Sequence, residues 1–103
     1  TMVGGATLTG LLGTSAWYAP GAAGAFVVEA ILHNQMKLVP CSVSLEGEYG
    51  ETDICCGVPV ILGKNGIEKI VELPLDEAEK AAFKASADAV RKVNGALKEV
   101  GAL

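Results

Sequence analysis

The sequence predicts an α+β fold: an antiparallel sheet that contains a hairpin and is covered by helices. A long, small-residue apolar run over 13–32 indicates a helix, since it is too long for a strand. Apolar and polar residues then alternate from Val39 to Leu45, as in a strand with one buried face. Further on, the pair Asn65-Gly66 stands between two apolar runs and indicates a hairpin turn.

Length, composition and charge restrict the possible classes of protein. With 103 residues, half of them hydrophobic, we expect one domain over 1–103 with a modest core. A net charge of −4 with scattered basic residues argues against nucleic acid or an anionic membrane as a partner. Pro20 and Glu29 interrupt the most apolar run, so we expect no membrane-spanning helix, and no signal peptide is recognisable.

Two helices are expected before the sheet. Residues 1–12 form a short helix entered from a glycine turn, and 13–32 form a long one. Thr14 and Ser15 are predicted to cap its first turn, with Pro20 either opening the helix late or kinking it. Its small side chains allow another backbone to approach closely. The apolar positions at helical spacing are Trp17, Ala25, Val28 and Leu32.

The end of the long helix and the first strand follow. Asn34 suits a left-handed cap, and His33 beside the last carbonyls is expected to be structural rather than catalytic. From Met36 the period changes to that of a strand, and Pro40 indicates that the strand lies at a sheet edge or contains a bulge. The face predicted to be buried consists of Val39, Cys41, Val43 and Leu45.

A charged turn and a hairpin complete the sheet. The carboxylates of 46–53 are expected to belong to a solvated loop rather than to a metal site. Residues 57–63 and 67–73 should pair antiparallel around Asn65-Gly66, because both residues tolerate positive φ. The segment 63–66 lacks the spacing of a phosphate-binding loop.

The last predicted element is a helix from about Glu77 to Leu97. Asp76 is its expected N-cap, and Glu79 completes a capping box. Its buried stripe is predicted to consist of Phe83, Ala87, Val90 and Leu97.

The three cysteines predict no disulfide and no metal site. Cys41, Cys55 and Cys56 are odd in number, two are adjacent, and none has the spacing of zinc ligands. We expect reduced thiols in the core or the strands, which fits a cytoplasmic protein.

Three segments, in order, resemble a known family. SAWYAP at 15–20, EGEYG at 46–50 and GVPVILGKNGIEKI at 57–70 are similar to the C-terminal half of NAD-dependent malate dehydrogenases, in particular the lactate-dehydrogenase-like enzymes of bacteria. Pro20 resembles the proline that the malate branch of this family carries in this segment, where lactate dehydrogenases usually carry a different residue. The resemblance therefore favours malate over lactate. The resemblance implies the C-terminal, substrate-side domain of that family over the whole chain.

That resemblance also implies what this chain lacks. The glycine fingerprint for NAD, the catalytic aspartate and histidine, and the arginines that clamp the substrate would all lie upstream of Thr1, so no catalytic residue is expected here. The chain begins inside a plausible structural element, which suggests a fragment that is inactive by itself. Ser15 corresponds to a residue of the substrate-pocket wall, and Ala19 falls on the nicotinamide side. A metal is not implied.

Several alternatives stay open. The parent enzyme would interconvert malate and oxaloacetate as a homodimer or homotetramer, or it would be an L-lactate dehydrogenase. The chain could instead be a non-enzymatic module that self-associates through its alanine- and glycine-rich helix. A redox function at Cys55-Cys56 is a third and weaker hypothesis.

Overall fold

A computed structural model describes residues 2–102 and has the predicted α+β architecture. Helices α1 (Gly4–Leu12) and α2 (Tyr18–Leu32) come first, and helix α3 (Glu77–Glu99) comes last. Between them, β1 (Lys37–Glu46), β2 (Thr52–Gly63) and β3 (Gly66–Ile70) form an antiparallel sheet in the order β1-β2-β3. A short 3₁₀ turn, Glu48–Gly50, connects β1 to β2.

The core lies between one face of the sheet and the two longer helices. Strand β1 buries Val43 and Leu45, and the predicted partners Val39 and Cys41 are half-buried against the same cluster. Strand β2 contributes every second residue from Ile54 to Leu62. Ala30 of α2 and Ala87 of α3 close the cluster, so both helices cover the same face. The predicted strand alternation is therefore confirmed, as is the edge position of Pro40.

The hairpin forms around Asn65-Gly66 as expected, but its second strand ends at Ile70 and not at residue 73. The turn uses one left-handed residue instead of two. Gly63 pairs with Gly66, and Gly66 has φ 86°. Asn65 is not among the described residues with positive φ. The pairing register shifts between Ile61 and Leu62, as in a turn followed by a bulge.

Helix α3 begins as predicted. The Asp76 carboxylate accepts from the Glu79 N–H at 2.8 Å, and the Glu79 carboxylate accepts from the Asp76 N–H at 2.9 Å. The capping box is thus confirmed. Ala87 is buried and Phe83 and Val90 are half-buried, but Leu97 is 40% exposed. Leu97 lies near the end of the helix and is not among the residues that pack against the core cluster.

Two predictions for α2 were wrong. The helix begins at Tyr18, and Trp17 is its N-cap without a side-chain cap bond, so neither Thr14 nor Ser15 caps it. Pro20 lies in the first turn, where its missing N–H costs little, and it does not kink the helix. The buried face contains Ala30, with Val27 half-buried, whereas Val28 and Leu32 are more than half exposed. Both faces of α2 are apolar, so periodicity could not select the one that meets the sheet.

Candidate functional site

The connection between α1 and α2 holds both residues singled out from the sequence. Gly13 ends α1 in the left-handed region, with φ 73°, and donates its N–H to Thr9 O at 2.9 Å. Residues 13–17 then run without regular structure to the first turn of α2. Ser15 is exposed in this connection, and Ala19 is the exposed second residue of α2. Their side chains face solvent a short distance apart along the chain.

The residues that follow Ser15 in the chain are largely aromatic and apolar, and they are exposed. Trp17 is 70% exposed and Tyr18 is 94% exposed, while Pro20 presents its ring on the first turn of α2. A hydroxyl beside such surface can donate or accept one hydrogen bond at the edge of an apolar wall. This arrangement is more typical of a surface that contacts a ligand or another domain than of a catalytic site.

The apolar surface extends along both N-terminal helices. All nine residues of α1 are exposed, and α2 fully buries Ala30. The large apolar side chains left exposed on the two helices include Leu8, Leu11, Leu12, Phe26, Val28 and Leu32. The accessible surface is 7522 Å², against about 5,400 Å² for a compact monomer of this mass. The radius of gyration is 16.2 Å, against about 13 Å for a compact chain of this length. A surface of this kind is typical of a domain that packs against others.

A second feature is Tyr49, which connects the 3₁₀ turn to the segment after β3 and to α3. Its hydroxyl donates to Val71 O at 2.6 Å and accepts from the Leu73 N–H at 2.9 Å. Its backbone, at φ 56°, is held by a 2.7 Å bond from the Tyr49 N–H to Glu72. Its ring packs on Phe83 of α3 at 5.1 Å between ring centroids. The turn thereby fixes the start of α3 to the sheet.

An ion pair holds the middle of α3 beside this turn. Glu51 is buried, so the prediction that the carboxylates of 46–53 belong to a solvated loop is wrong for this residue. Its carboxylate accepts from the Arg91 guanidinium, which also donates to Asp88 at 3.1 Å. The hydrogen bond that Arg91 donates to Glu51 is the main reason that the pKa of Arg91 is raised above its ordinary value. A buried carboxylate needs such a partner, since desolvation without one is costly.

The remaining reactive side chains occupy structural positions. His33 is the only histidine and lies exposed at the C-cap of α2, where its N–H donates to Glu29 O at 3.0 Å. Cys41 is half-buried, Cys55 exposed and Cys56 buried, and all three are free. Burial, aided by the nearby Glu51 carboxylate, raises the pKa of the Cys56 thiol. Within 2–102, no group of three or more potential ligands is arranged to hold a metal.

Asn34 provides the predicted left-handed residue after α2, with φ 48°, and its side chain accepts from the Lys64 N–H at 3.0 Å.

None of the three helices described in residues 2–102 is long and apolar enough to cross a membrane. The connection between α1 and α2 thus combines an exposed hydroxyl with exposed aromatic and apolar side chains.

Comparison with known proteins identifies the family to which this chain belongs. The sequence model for the lactate/malate dehydrogenase, alpha/beta C-terminal domain, matches residues 4–100. The chain belongs to this family, and it corresponds to the C-terminal domain.

The particular relatives are malate dehydrogenases. The chain is 81% identical over all 103 residues to the malate dehydrogenase of Bacteroides fragilis, and it spans 33% of that protein. It is 65% identical over 100 residues to the malate dehydrogenase of Flavobacterium johnsoniae, spanning 32% of it. The chain thus covers about a third of the length of these curated relatives.

Solved structures confirm the fold. The malate dehydrogenase of Salinibacter ruber is 44% identical and superposes with a TM-score of 0.88, over 96% of this chain and 33% of that one. A lactate dehydrogenase from Eimeria maxima, solved with NADH and oxamate, is 36% identical and reaches a TM-score of 0.92, over 97% and 32%. The fold is therefore shared by both branches, whereas the relatives named above with 44% identity or more are malate dehydrogenases.

Proposed function

We propose that this chain is the substrate-side domain of an NAD-dependent malate dehydrogenase that interconverts malate and oxaloacetate. The observation that carries the proposal is the 81% identity, over every residue of the chain, to the malate dehydrogenase of Bacteroides fragilis. In the proposed enzyme, the NAD fingerprint and the catalytic acid–base pair lie outside this domain, which spans a third of that relative. The lactate alternative is not favoured by these relatives.

Within that enzyme, Ser15 forms part of the substrate-pocket wall and Ala19 lies on the nicotinamide side. The exposed hydroxyl of Ser15 can bond a carboxylate or hydroxyl of the substrate, and the methyl of Ala19 adds flat apolar surface suited to a nicotinamide ring. When bound, NAD supplies the hydride acceptor. The residues of this chain only shape the pocket and orient the substrate. One neutral hydrogen bond contributes about 1 kcal/mol to binding.

The exposed sides of α1 and α2 pack against the nucleotide-binding domain or a neighbouring subunit of a homo-oligomer. Their apolar residues and the large accessible surface support this role. We also propose a cytoplasmic location, supported by the three free cysteines, and no dependence on a metal, nucleic acid or membrane.

A chimera tests the proposal directly. The C-terminal third of the Bacteroides fragilis enzyme is replaced by this chain, and NADH oxidation is followed with oxaloacetate. We expect activity within a few-fold of the parent enzyme, because 81% of the exchanged residues are identical. A soluble, folded chimera without activity would contradict the proposed domain role, and so would activity of the 103-residue chain alone.

The role of Ser15 is tested in the same chimera. We expect Ser15→Ala to lower kcat/KM for oxaloacetate by about two- to tenfold, the value of one lost hydrogen bond. Thr14→Ala, a neighbouring exposed hydroxyl, is the matched control and should have little effect. Equal kinetics for the two variants would remove Ser15 from the pocket wall.

Ala19 is tested by adding bulk. Ala19→Leu should raise the KM for NADH more than the KM for oxaloacetate, because the larger side chain fills space on the nicotinamide side. Ala85→Leu, at an exposed position of α3, is the control. An unchanged KM for NADH in Ala19→Leu would contradict this placement.

The exposed helices also support a second candidate function, self-association of the isolated chain. Light scattering of the purified 103-residue chain over a range of concentrations tests it. A mass that stays at 10.5 kDa at high concentration would contradict self-association without affecting the first proposal.

A further inference from the structure

A groove of about 440 Å³ lies between the 3₁₀ turn, the segment that follows β3, and the N-terminal half of α3. The turn contributes Tyr49, the segment contributes Leu73 and Leu75, and α3 contributes Phe83 together with two lysines. Its volume falls within the range of small-molecule sites. It is an open groove on the surface and not a gap in the core, so a ligand could enter without unfolding the domain.

The floor of the groove is aromatic and aliphatic. The Tyr49 and Phe83 rings are 5.1 Å apart and tilted by 33°. Both rings are half-buried, so each keeps part of its surface accessible from the groove. Leu75 is half-buried beside them. A third ring can extend such an aromatic pair by offset or edge contacts, which fixes its orientation as well as its burial.

The carboxylates of the groove already have partners. Glu51 is paired with Arg91, and Glu72 accepts the Tyr49 N–H at 2.7 Å. Neither of them forms an ion pair with a lysine among the described residues.

The two lysines, in contrast, are available to a ligand. Lys80 and Lys84 are one turn apart on α3, so their Cβ atoms are separated by about 6 Å and their ammonium groups can reach one anion. Lys80 pairs at 3.3 Å with Glu77, whose side chain is 94% exposed, and such a pair is weak and easily exchanged. Lys84 takes part in none of the three ion pairs found within residues 2–102.

We propose that this groove binds a small aromatic carboxylate. Its ring lies on the Phe83 side chain and extends the Tyr49–Phe83 pair, and its carboxylate lies between the ammonium groups of Lys80 and Lys84. The combination of ring and charge sets the specificity, because neither the shallow apolar floor nor two exposed cations would retain a ligand alone. For a ligand of this size in an open groove, we expect a dissociation constant on the order of 1 mM.

Ligand-observed NMR tests the proposal with three probes. These are 3-phenylpropionate, propionate, which lacks the ring, and 3-phenyl-1-propanol, which lacks the charge. Each is titrated into the 103-residue chain and into the chimera described above, and binding is read from saturation transfer, so the result does not depend on enzyme activity. We expect 3-phenylpropionate to bind at least tenfold more tightly than either of the other probes.

Variants locate the binding in the groove. We expect Lys80→Gln and Lys84→Gln each to weaken 3-phenylpropionate binding by up to about fivefold, and Phe83→Leu to reduce the advantage over propionate. Lys92→Gln, an exposed lysine of α3 that does not line the groove, is the matched control and should change nothing. Comparable binding of 3-phenyl-1-propanol, or 3-phenylpropionate binding that is as tight in both lysine variants as in the parent, would overturn the proposal. If neither polypeptide folds, the groove does not form and the proposal fails as well.

Discussion

The hydroxyl of Tyr49 replaces a hydrogen bond that the sheet cannot make. Val71 donates its N–H to Pro59 O at 2.9 Å, continuing the β2–β3 pairing beyond Ile70. In an antiparallel pair the reciprocal bond would run from residue 59 to Val71 O, but proline has no N–H. Tyr49 donates to that carbonyl instead, at 2.6 Å.

Removing this hydroxyl should therefore destabilise the fold measurably. In Tyr49→Phe the half-buried Val71 carbonyl loses its donor, whereas the Leu73 N–H lies at an exposed residue and can turn to water. An unsatisfied, partly buried carbonyl costs about 1–3 kcal/mol, so we expect a loss of about 2 kcal/mol. Urea unfolding of the 103-residue chain, followed by far-UV circular dichroism, measures it.

A matched control and a double-mutant cycle make the test specific. Tyr18→Phe removes the hydroxyl of the other tyrosine, which is 94% exposed, and should change stability by less than about 0.5 kcal/mol. In a Pro59→Ala background the restored N–H can donate to Val71 O, so Tyr49→Phe should cost about 1 kcal/mol less than in the parent. Equal costs in the two backgrounds, or a Tyr49→Phe cost no larger than that of Tyr18→Phe, would refute the reasoning.

Three further predictions concern the hairpin, a helix cap and the thiols. Gly63→Ala should lower the free energy of unfolding by about 1–3 kcal/mol, because a Cβ there would meet side-chain atoms of Asn34 and two other residues within 3 Å; unchanged thermal stability would contradict this. Asp76→Ala should lower the free energy of unfolding by about 1 kcal/mol, because it opens the capping box of α3. The loss is read as a lower melting temperature, and an unchanged melting temperature would show that the cap adds no stability. Iodoacetamide should alkylate the exposed Cys55 before the buried Cys56, as read by peptide mass spectrometry; because the pKa of the Cys56 thiol is raised in the fold, stability should also fall as pH rises above about 8.5. Equal alkylation rates would contradict the burial of Cys56.

Local signals in the sequence predicted the sheet and the last helix well. Strict alternation from Val39 to Leu45 left one choice of buried face, since a strand has only two faces. Asp76 and Glu79 specify each other through two short bonds within one turn of chain, so their capping box required no distant information.

The predictions that failed depended on tertiary contacts. The start of α2 at Tyr18 and the burial of Ala30 are decided by where the helix meets the sheet, and its apolar residues point in every direction. The role of Tyr49 was likewise hidden, because its partner Val71 is 22 residues away in the chain. A signal was present in Pro59, a residue without an N–H inside a central strand, which implies that some other group must satisfy the facing carbonyl.

The candidate site could be predicted only through the family resemblance. Nothing in the pattern around Ser15 distinguishes a pocket wall from a helix cap, and the structure excludes the cap by starting α2 at Tyr18. The physical role of Ser15 and Ala19 depends on surfaces that these residues meet outside this domain, so it remains a prediction.

NADH oxidation by the complete product of the gene, whatever its length, is the decisive test of malate dehydrogenase activity. Oxaloacetate and pyruvate are offered separately, and the 103-residue chain is assayed beside the complete product. We expect rapid oxidation with oxaloacetate, little with pyruvate, and none with the 103-residue chain alone. A complete product that leaves NADH unoxidised with oxaloacetate, or that prefers pyruvate, would contradict the assignment to malate dehydrogenase.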